Sequence, residues 1–320
     1  MTTSTPKIAP ADGRLGVLVV GLGAVSTTLI AGVELAKRGL GQPFGSMTQM
    51  GTIRLGKRTD GRSPLVKDFV PLARLEDIEW AAWDVFPDDA YVAATRAGVL
   101  EGGKHIEAIS DTLREIRPMP AAFERKYARN LDGNNTKGNI SKRAMLEAIR
   151  ADINKFRDDK KVDRMVMIWC ASTEVFIEPG PAHMTIESFE KAIDANDETI
   201  APSMLYAYAA LLEGVPFANG APNLAVDMPC LRQFATEKNI PISGKDFKTG
   251  QTLMKTVLAP MLKARQLGLS GWYSTNILGN RDGEVLDAPE NFKTKEESKL
   301  GVLEHILEPD KNPDLYGNVF

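Results

Sequence analysis

The chain holds 320 residues with a mass of 35.0 kDa, more than one hydrophobic core usually serves, so two lobes of ~100–200 residues each are expected. Its 39 basic and 42 acidic residues leave a net charge of −3, which excludes the electrostatic footprint of a nucleic-acid or anionic-membrane binder and points to a small-molecule partner. No stretch of ~18 apolar residues is present to span a bilayer, residues 1–14 carry no apolar leader core, and Cys170 and Cys230 read as buried free thiols; the expectation is a soluble, cytoplasmic protein.

After a loose tail over 1–14, Leu15 to Val20 is a continuous apolar run, as in a strand covered on both faces, and Thr27 to Arg38 reads as a helix ending before Gly39. Between them lies Gly21-Leu22-Gly23-Ala24-Val25-Ser26. In a strand-turn-helix setting such a turn binds a dinucleotide. Gly21 permits the bend, Gly23 lets the backbone approach a pyrophosphate, and the helix start over Ala24, Val25, Ser26 and Thr27 supplies N–H donors. Ser26 stands where the generic fingerprint has its third glycine, and a plain glycine-rich βα loop is the competing reading. Residues 40–77 form an insert without a clear strand, to which the sequence assigns no role. A strand follows near Ile78 to Val85, Ser141 caps an amphipathic helix from Lys142 to Phe156, and Val162 to Ala171 is a further covered strand. This alternation predicts an α/β, doubly wound, Rossmann-type domain over 15–200 that binds NAD.

Beyond Ala201 the pattern shifts to a strongly apolar helix running to about Glu213, then a strand and turn from Val215 to Asn223. Asp246 reads as the cap of a helix starting near Thr249, in which Met254, Val257, Leu258, Met261 and Leu262 form a core stripe. Residues 201–320 are expected to form a second, α+β domain for substrate binding and oligomerisation. His105, His183 and His305 lack the spacing of a triad or zinc site and read as structural.

Two polar, glycine-punctuated turns flank that helix: Gly244-Lys245-Asp246-Phe247-Lys248-Thr249-Gly250-Gln251-Thr252 and Asn276-Ile277-Leu278-Gly279-Asn280-Arg281-Asp282-Gly283. Ammonium groups beside carboxylates and carboxamides suit a phosphorylated sugar. In order, the two turns resemble the signature region of the myo-inositol-1-phosphate synthase family, whose usual forms run Asp-Asp-Phe-Lys-Ser-Gly-Gln-Thr and Asn-His-Leu-Gly-Asn-Asn-Asp-Gly. Trp80 to Val85, Trp169 to Glu174, Pro202 to Ala207 and Asn219 to Asn223 are similar to further segments of that family.

The resemblance implies conversion of D-glucose 6-phosphate to 1D-myo-inositol 3-phosphate: oxidation at C5 by NAD, enolisation, aldol closure and reduction by the same NADH. Lys248, Lys255, Lys295 and Lys299 match the family pattern, with Lys255 and Lys299 as the chemical participants. Asp84, Ser172 and Thr173 are expected to reach the cofactor, and Asn219, Asn223, Asn276, Asn280 and Asp282 the substrate. Asp246 either caps its helix or helps hold a divalent or monovalent cation beside the phosphate. A homotetramer is implied too. The match runs from Leu15 to the end but over only about three quarters of a family member, so Phe320 is expected to stop inside a strand, ahead of a segment that supplies another catalytic lysine and an aspartate. A two-domain dehydrogenase with net redox and an inactive NAD-binding protein are the alternatives.

Overall fold

The structure is a computed structural model that describes residues 11–274 and 279–317. Six strands, β1 (Leu15–Val20), β2 (Ile78–Asp84), β3 (Met119–Pro120), β4 (Arg164–Trp169), β5 (Phe217–Asn219) and β6 (Ile242–Ser243), form one parallel sheet in the order β3-β2-β1-β4-β5-β6. This is the strand order of the doubly wound dinucleotide fold, with its topological switch between β1 and β4.

The apolar run of β1 serves two cores at once, because successive side chains leave a strand on opposite faces. Val17 and Val19 join Ile30, Ala31 and Leu35 of α1 (Ala24–Lys37) on one side. Leu18 and Val20 join the other side, with Trp83 and the fully buried row Leu146, Ile149 and Ile153. The insert over 40–77 holds the single-turn helices α2 (Met47–Met50) and α3 (Val66–Phe69), with an antiparallel bridge between Thr52 and Leu65, and two 3-10 turns at Arg58–Asp60 and Leu75–Asp77. The first face is completed by α4 (Ala90–Ala97) and α5 (Ser110–Glu115), which add Ala90, Ala94 and Leu113 to its core. The second face is covered by α6 (Lys142–Lys160), α7 (Ile186–Asp194), α8 (Pro202–Leu212) and α9 (Pro229–Glu237).

The sheet crosses the boundary expected at 200–201, since β5 and β6 both lie beyond it. The composition shift there marks a helix buried on every side, with Pro202 through Leu211 all inaccessible in α8, rather than a change of domain. Two short strands, β5 of three residues and β6 of two, carry no periodicity that would announce their place in the sheet.

Residues 250–317 add α10 (Gly250–Ala264), α11 (Asn280–Leu286), α12 (Pro289–Leu307) and α13 (Pro313–Tyr316), around a small cluster of Ala259, Leu303, Leu307 and Tyr316. The stripe on α10 expected to be core faces outward: Met254, Val257 and Met261 are 49%, 57% and 45% exposed, and Leu258 and Leu262 are half-buried. The helix docks through Thr252, Lys255 and Ala259 instead. Helical periodicity finds an apolar face but does not say which element covers it.

Candidate active site

A cavity of about 460 Å³ opens at the carboxyl ends of β1, β2 and β4, the crevice where open α/β sheets hold ligands. Gly21, Gly23 and Ala24 line it. Gly21 has φ +92, and a Cβ there would lie 2.5 Å from the Cα of Ala171, so only glycine fits. At Gly23, the N-cap residue of α1, a Cβ would meet nothing within 4 Å. That space, in front of unbonded backbone N–H groups at the helix start, fits a pyrophosphate cradle. Ser26 and Thr27 are buried and fasten the turn: Ser26 Oγ donates to the Gly21 carbonyl at 2.5 Å and Thr27 Oγ1 to that of Gly23 at 2.9 Å. Val25 is 52% exposed.

Asp84 ends β2 and also lines the cavity. Its Oδ2 accepts from Leu22 N at 2.5 Å and its Oδ1 from Phe86 N at 2.9 Å, so the carboxylate braces the glycine turn. Burial pushes its pKa up against those two bonds. Beyond β4, Ser172 lines the cavity, while Thr173 is buried with its carbonyl accepting from Asn291 Nδ2 at 2.8 Å.

The lysines gather on α10 and α12. Lys255 is buried, and its Nζ donates to the Lys299 carbonyl at 3.0 Å; burial lowers its pKa. The pKa of Lys299 falls too, first through burial and then through the charge of Lys295, partly opposed by Asp246 and Asp282. Lys295 pairs with Asp282 at 2.6 Å, and Ser298 Oγ donates to Asp246 at 3.1 Å. This cluster sits beside the cavity through two links. Asn280 and Arg281 of α11 line the cavity while the adjacent Asp282 holds Lys295. On α12, Asn291 and Thr294 bond the carbonyls of Thr173 and Glu174 just past β4.

A family model for the NAD-binding region of myo-inositol-1-phosphate synthase matches residues 15–290. The chain belongs to the myo-inositol-1-phosphate synthase family. The inositol-3-phosphate synthase 1 of Bacteroides thetaiotaomicron is 54% identical over 316 residues, covering 98% of this chain and 73% of its own length. The rice inositol-3-phosphate synthase 1 is 33% identical over 336 residues, covering 98% of this chain and 64% of the rice protein. The crystal structure of inositol-3-phosphate synthase from Caenorhabditis elegans superposes with a TM-score of 0.84 at 28% identity, over 94% of this chain and 63% of the nematode chain. The chain therefore spans less than two thirds of the rice and nematode synthases. Its NAD-binding domain is that of the family, and no described helix is long and apolar enough to cross a membrane.

Set against this synthase frame, the expected residues divide. Lys255, Lys295, Lys299, Asp246 and Asp282 come together, whereas Lys248 is exposed and donates to the carbonyl of Lys245 at 3.0 Å. Asp246 does not cap α10; Thr249 is the N-cap residue. Among the described residues no group of three or more His, Cys, Asp or Glu is placed to hold a metal ion. Asn219 is buried and spent on its own turn, Nδ2 donating to the Asn223 carbonyl at 2.7 Å and Oδ1 accepting from Ala221 N at 3.1 Å. Asn223 Oδ1 accepts from Glu174 N at 2.8 Å, and its Nδ2 has no partner among the described residues. Asn276 and the strand expected at Phe320 lie outside the described residues. His183 is locked between Gly180 N and the Thr199 carbonyl, each at 3.0 Å.

Glu174 is one cavity residue that sequence reasoning did not single out, although it closes the Trp169 to Glu174 segment. Buried at 5% exposure, it accepts from Ser203 N and Oγ at the start of α8, and burial raises its pKa to about 7. Lys142, beside it, is buried with three acceptors, Glu124, the Tyr127 hydroxyl and the Ile200 carbonyl. An amphipathic helix pattern gives no sign that its first residue, a lysine, faces inward.

Proposed function

We propose that this chain carries the cyclisation of D-glucose 6-phosphate to 1D-myo-inositol 3-phosphate in the cytoplasm, as a homo-oligomer that is tetrameric by resemblance. The observation that supports this most is a pair of lysines of lowered pKa, the buried Lys255 and the half-buried Lys299, in a cluster that α11 and α12 tie to the wall of the cavity in an NAD-binding fold. When bound, NAD supplies a hydride acceptor that returns the hydride within one turnover, so there is no net redox change.

The chain's residues do the rest. Gly21, Gly23 and the start of α1 hold the pyrophosphate. Burial disfavours the charged form of Lys255 and lowers its pKa, which suits it to take a proton from carbon beside the oxidised centre. Lys299 and Lys295 add positive charge where the enolate and alkoxide form, in a site partly screened from water. Lys248, exposed at the rim of this loop, is available for the phosphate. Asn280 and Asp282, on one turn of α11, orient sugar hydroxyls in this reading, Asp282 while paired with Lys295.

Of the dehydrogenase alternatives, the aldehyde-oxidising kind that works through a thioester needs a reactive thiol. Cys170 does line the cavity, but burial raises its pKa to about 11 and no histidine lines the cavity among the described residues. Incubation of the protein with NAD and glucose 6-phosphate separates the readings. The proposal expects a periodate-sensitive inositol phosphate without accumulation of NADH. Stoichiometric NADH would support a dehydrogenase, and neither product would support an inactive NAD-binding protein.

A further inference from the structure

Arg281 occupies the second position of α11 and lines the cavity, with its guanidinium 3.5 Å from the centroid of the Phe86 ring. No hydrogen bond or ion pair engages it among the described residues. Arg96, the other arginine of the cavity wall, is instead taken up by Asp88. A half-buried guanidinium carries five donors in a rigid fork and is stacked here on an aromatic face that fixes its plane. Such a group is built to meet an oxyanion, and the ring holds it ready in the absence of one.

Its location indicates which oxyanion. Phe86 lies two residues past Asp84, the carboxylate at the end of β2, and the charge of Arg281 reaches Asp84. In dinucleotide folds a carboxylate in this place takes the ribose 2′-hydroxyl, whereas an arginine nearby accommodates a 2′-phosphate. Each oxygen of Asp84 accepts one backbone N–H, from Leu22 and from Phe86, so part of its acceptor capacity is spent on the turn. Glu284, one helical turn after Arg281, also lines the cavity but is exposed, and it forms no ion pair with the arginine.

We propose that Arg281, stacked on Phe86, is a specificity-determining residue forming a phosphate subsite at the adenosine ribose, so that the cavity accepts a dinucleotide bearing a 2′-phosphate as well as NAD. This rests on the reading of the cavity as the dinucleotide site.

Calorimetric titration of the full chain with NAD and, separately, NADP tests it, using the parent, Arg281→Gln and Arg281→Lys. The parent binds both. Loss of one charge-assisted fork weakens NADP by ~10–100-fold in Arg281→Gln, while NAD binding changes by less than ~3-fold and serves as the check on folding. Arg281→Lys restores part of the NADP affinity. Binding of NAD but not NADP by the parent overturns the inference, and so does an equal loss for both ligands in Arg281→Gln, which would place the guanidinium on the pyrophosphate. Failure of the parent to bind either ligand overturns the reading of the cavity along with it.

Discussion

Lys142 and Lys255 are buried to the same degree, at 2% and 3% exposure, and burial lowers the pKa of both, yet they belong to different parts of the molecule and to different kinds of site. Lys142, on the sheet side, is closed in by Glu124, a tyrosine hydroxyl and a backbone carbonyl, and sits above the larger of the two sheet cores. Among the described residues Lys255 has only the carbonyl of Lys299, and it lies in a lobe whose own cluster numbers Ala259, Leu303, Leu307 and Tyr316. The sheet half satisfies its buried charge and so fixes structure. The helical lobe leaves its buried charge short of a counter-ion, and a lightly packed element holds it, as is usual for groups that must act on a ligand.

The largest effect that would sharpen this contrast is on turnover. Lys255→Ala is expected to lower the rate by ~10²–10³, the scale of one preorganised cation or donor, with little change in unfolding free energy. Near-parental turnover would move Lys255 to a structural role and break the comparison. Lys142→Met is expected to act the other way: a loss of ~3 kcal/mol in stability by urea unfolding, from stranding the partners of a buried charge, with turnover per folded molecule unchanged.

A smaller effect follows from Glu174. Its carboxyl is held up to about 7 against an ordinary 4.5, so between those values the folded chain keeps a proton that the unfolded chain has released. Its contribution to stability is full below the unfolded value and is lost as pH rises through the folded one, on the order of 3 kcal/mol in all. Unfolding free energies measured at about pH 5 and about pH 8 should differ in that sense for the parent, and Glu174→Gln should flatten the difference. The least effect is expected on the outer face of α10. Val257→Glu should shift stability by no more than ~0.5 kcal/mol, because the side chain is already 57% exposed; a loss above ~1.5 kcal/mol would show the stripe to be covered.

How much of this was legible in the sequence depended on whether the signal was local. The β1 run, the Ser141 cap that accepts from Ala144 N, and the βα turn were readable because neighbouring residues determine them. The closeness of Lys295 and Lys299 was readable from their spacing, whereas their gathering with Lys255 was implied by the family resemblance alone; the side shared by Lys248 and Lys255 that spacing suggested is not found, since Lys248 is exposed and Lys255 buried. The strands β5 and β6 were not assigned to the nucleotide sheet, since two or three residues carry no period. The outward face of α10 and the inward Lys142 depend on which element packs where, and a one-dimensional pattern leaves that open. Glu174 and Arg281 matter through partners 29 and 195 positions away in the chain, Ser203 and Phe86, so they emerged only once the fold had brought them together.

The division of labour between the two regions is tested most directly by titrating the parent, Gly23→Val and Lys255→Ala with NAD. A Cβ at Gly23 meets no protein atom within 4 Å, so the valine variant should fold while its side chain fills the space in front of α1. The account predicts that Gly23→Val fails to saturate with NAD while Lys255→Ala binds as tightly as the parent. Parental NAD affinity in Gly23→Val, or its loss in Lys255→Ala, would contradict the assignment of cofactor to the sheet and chemistry to the lysine lobe.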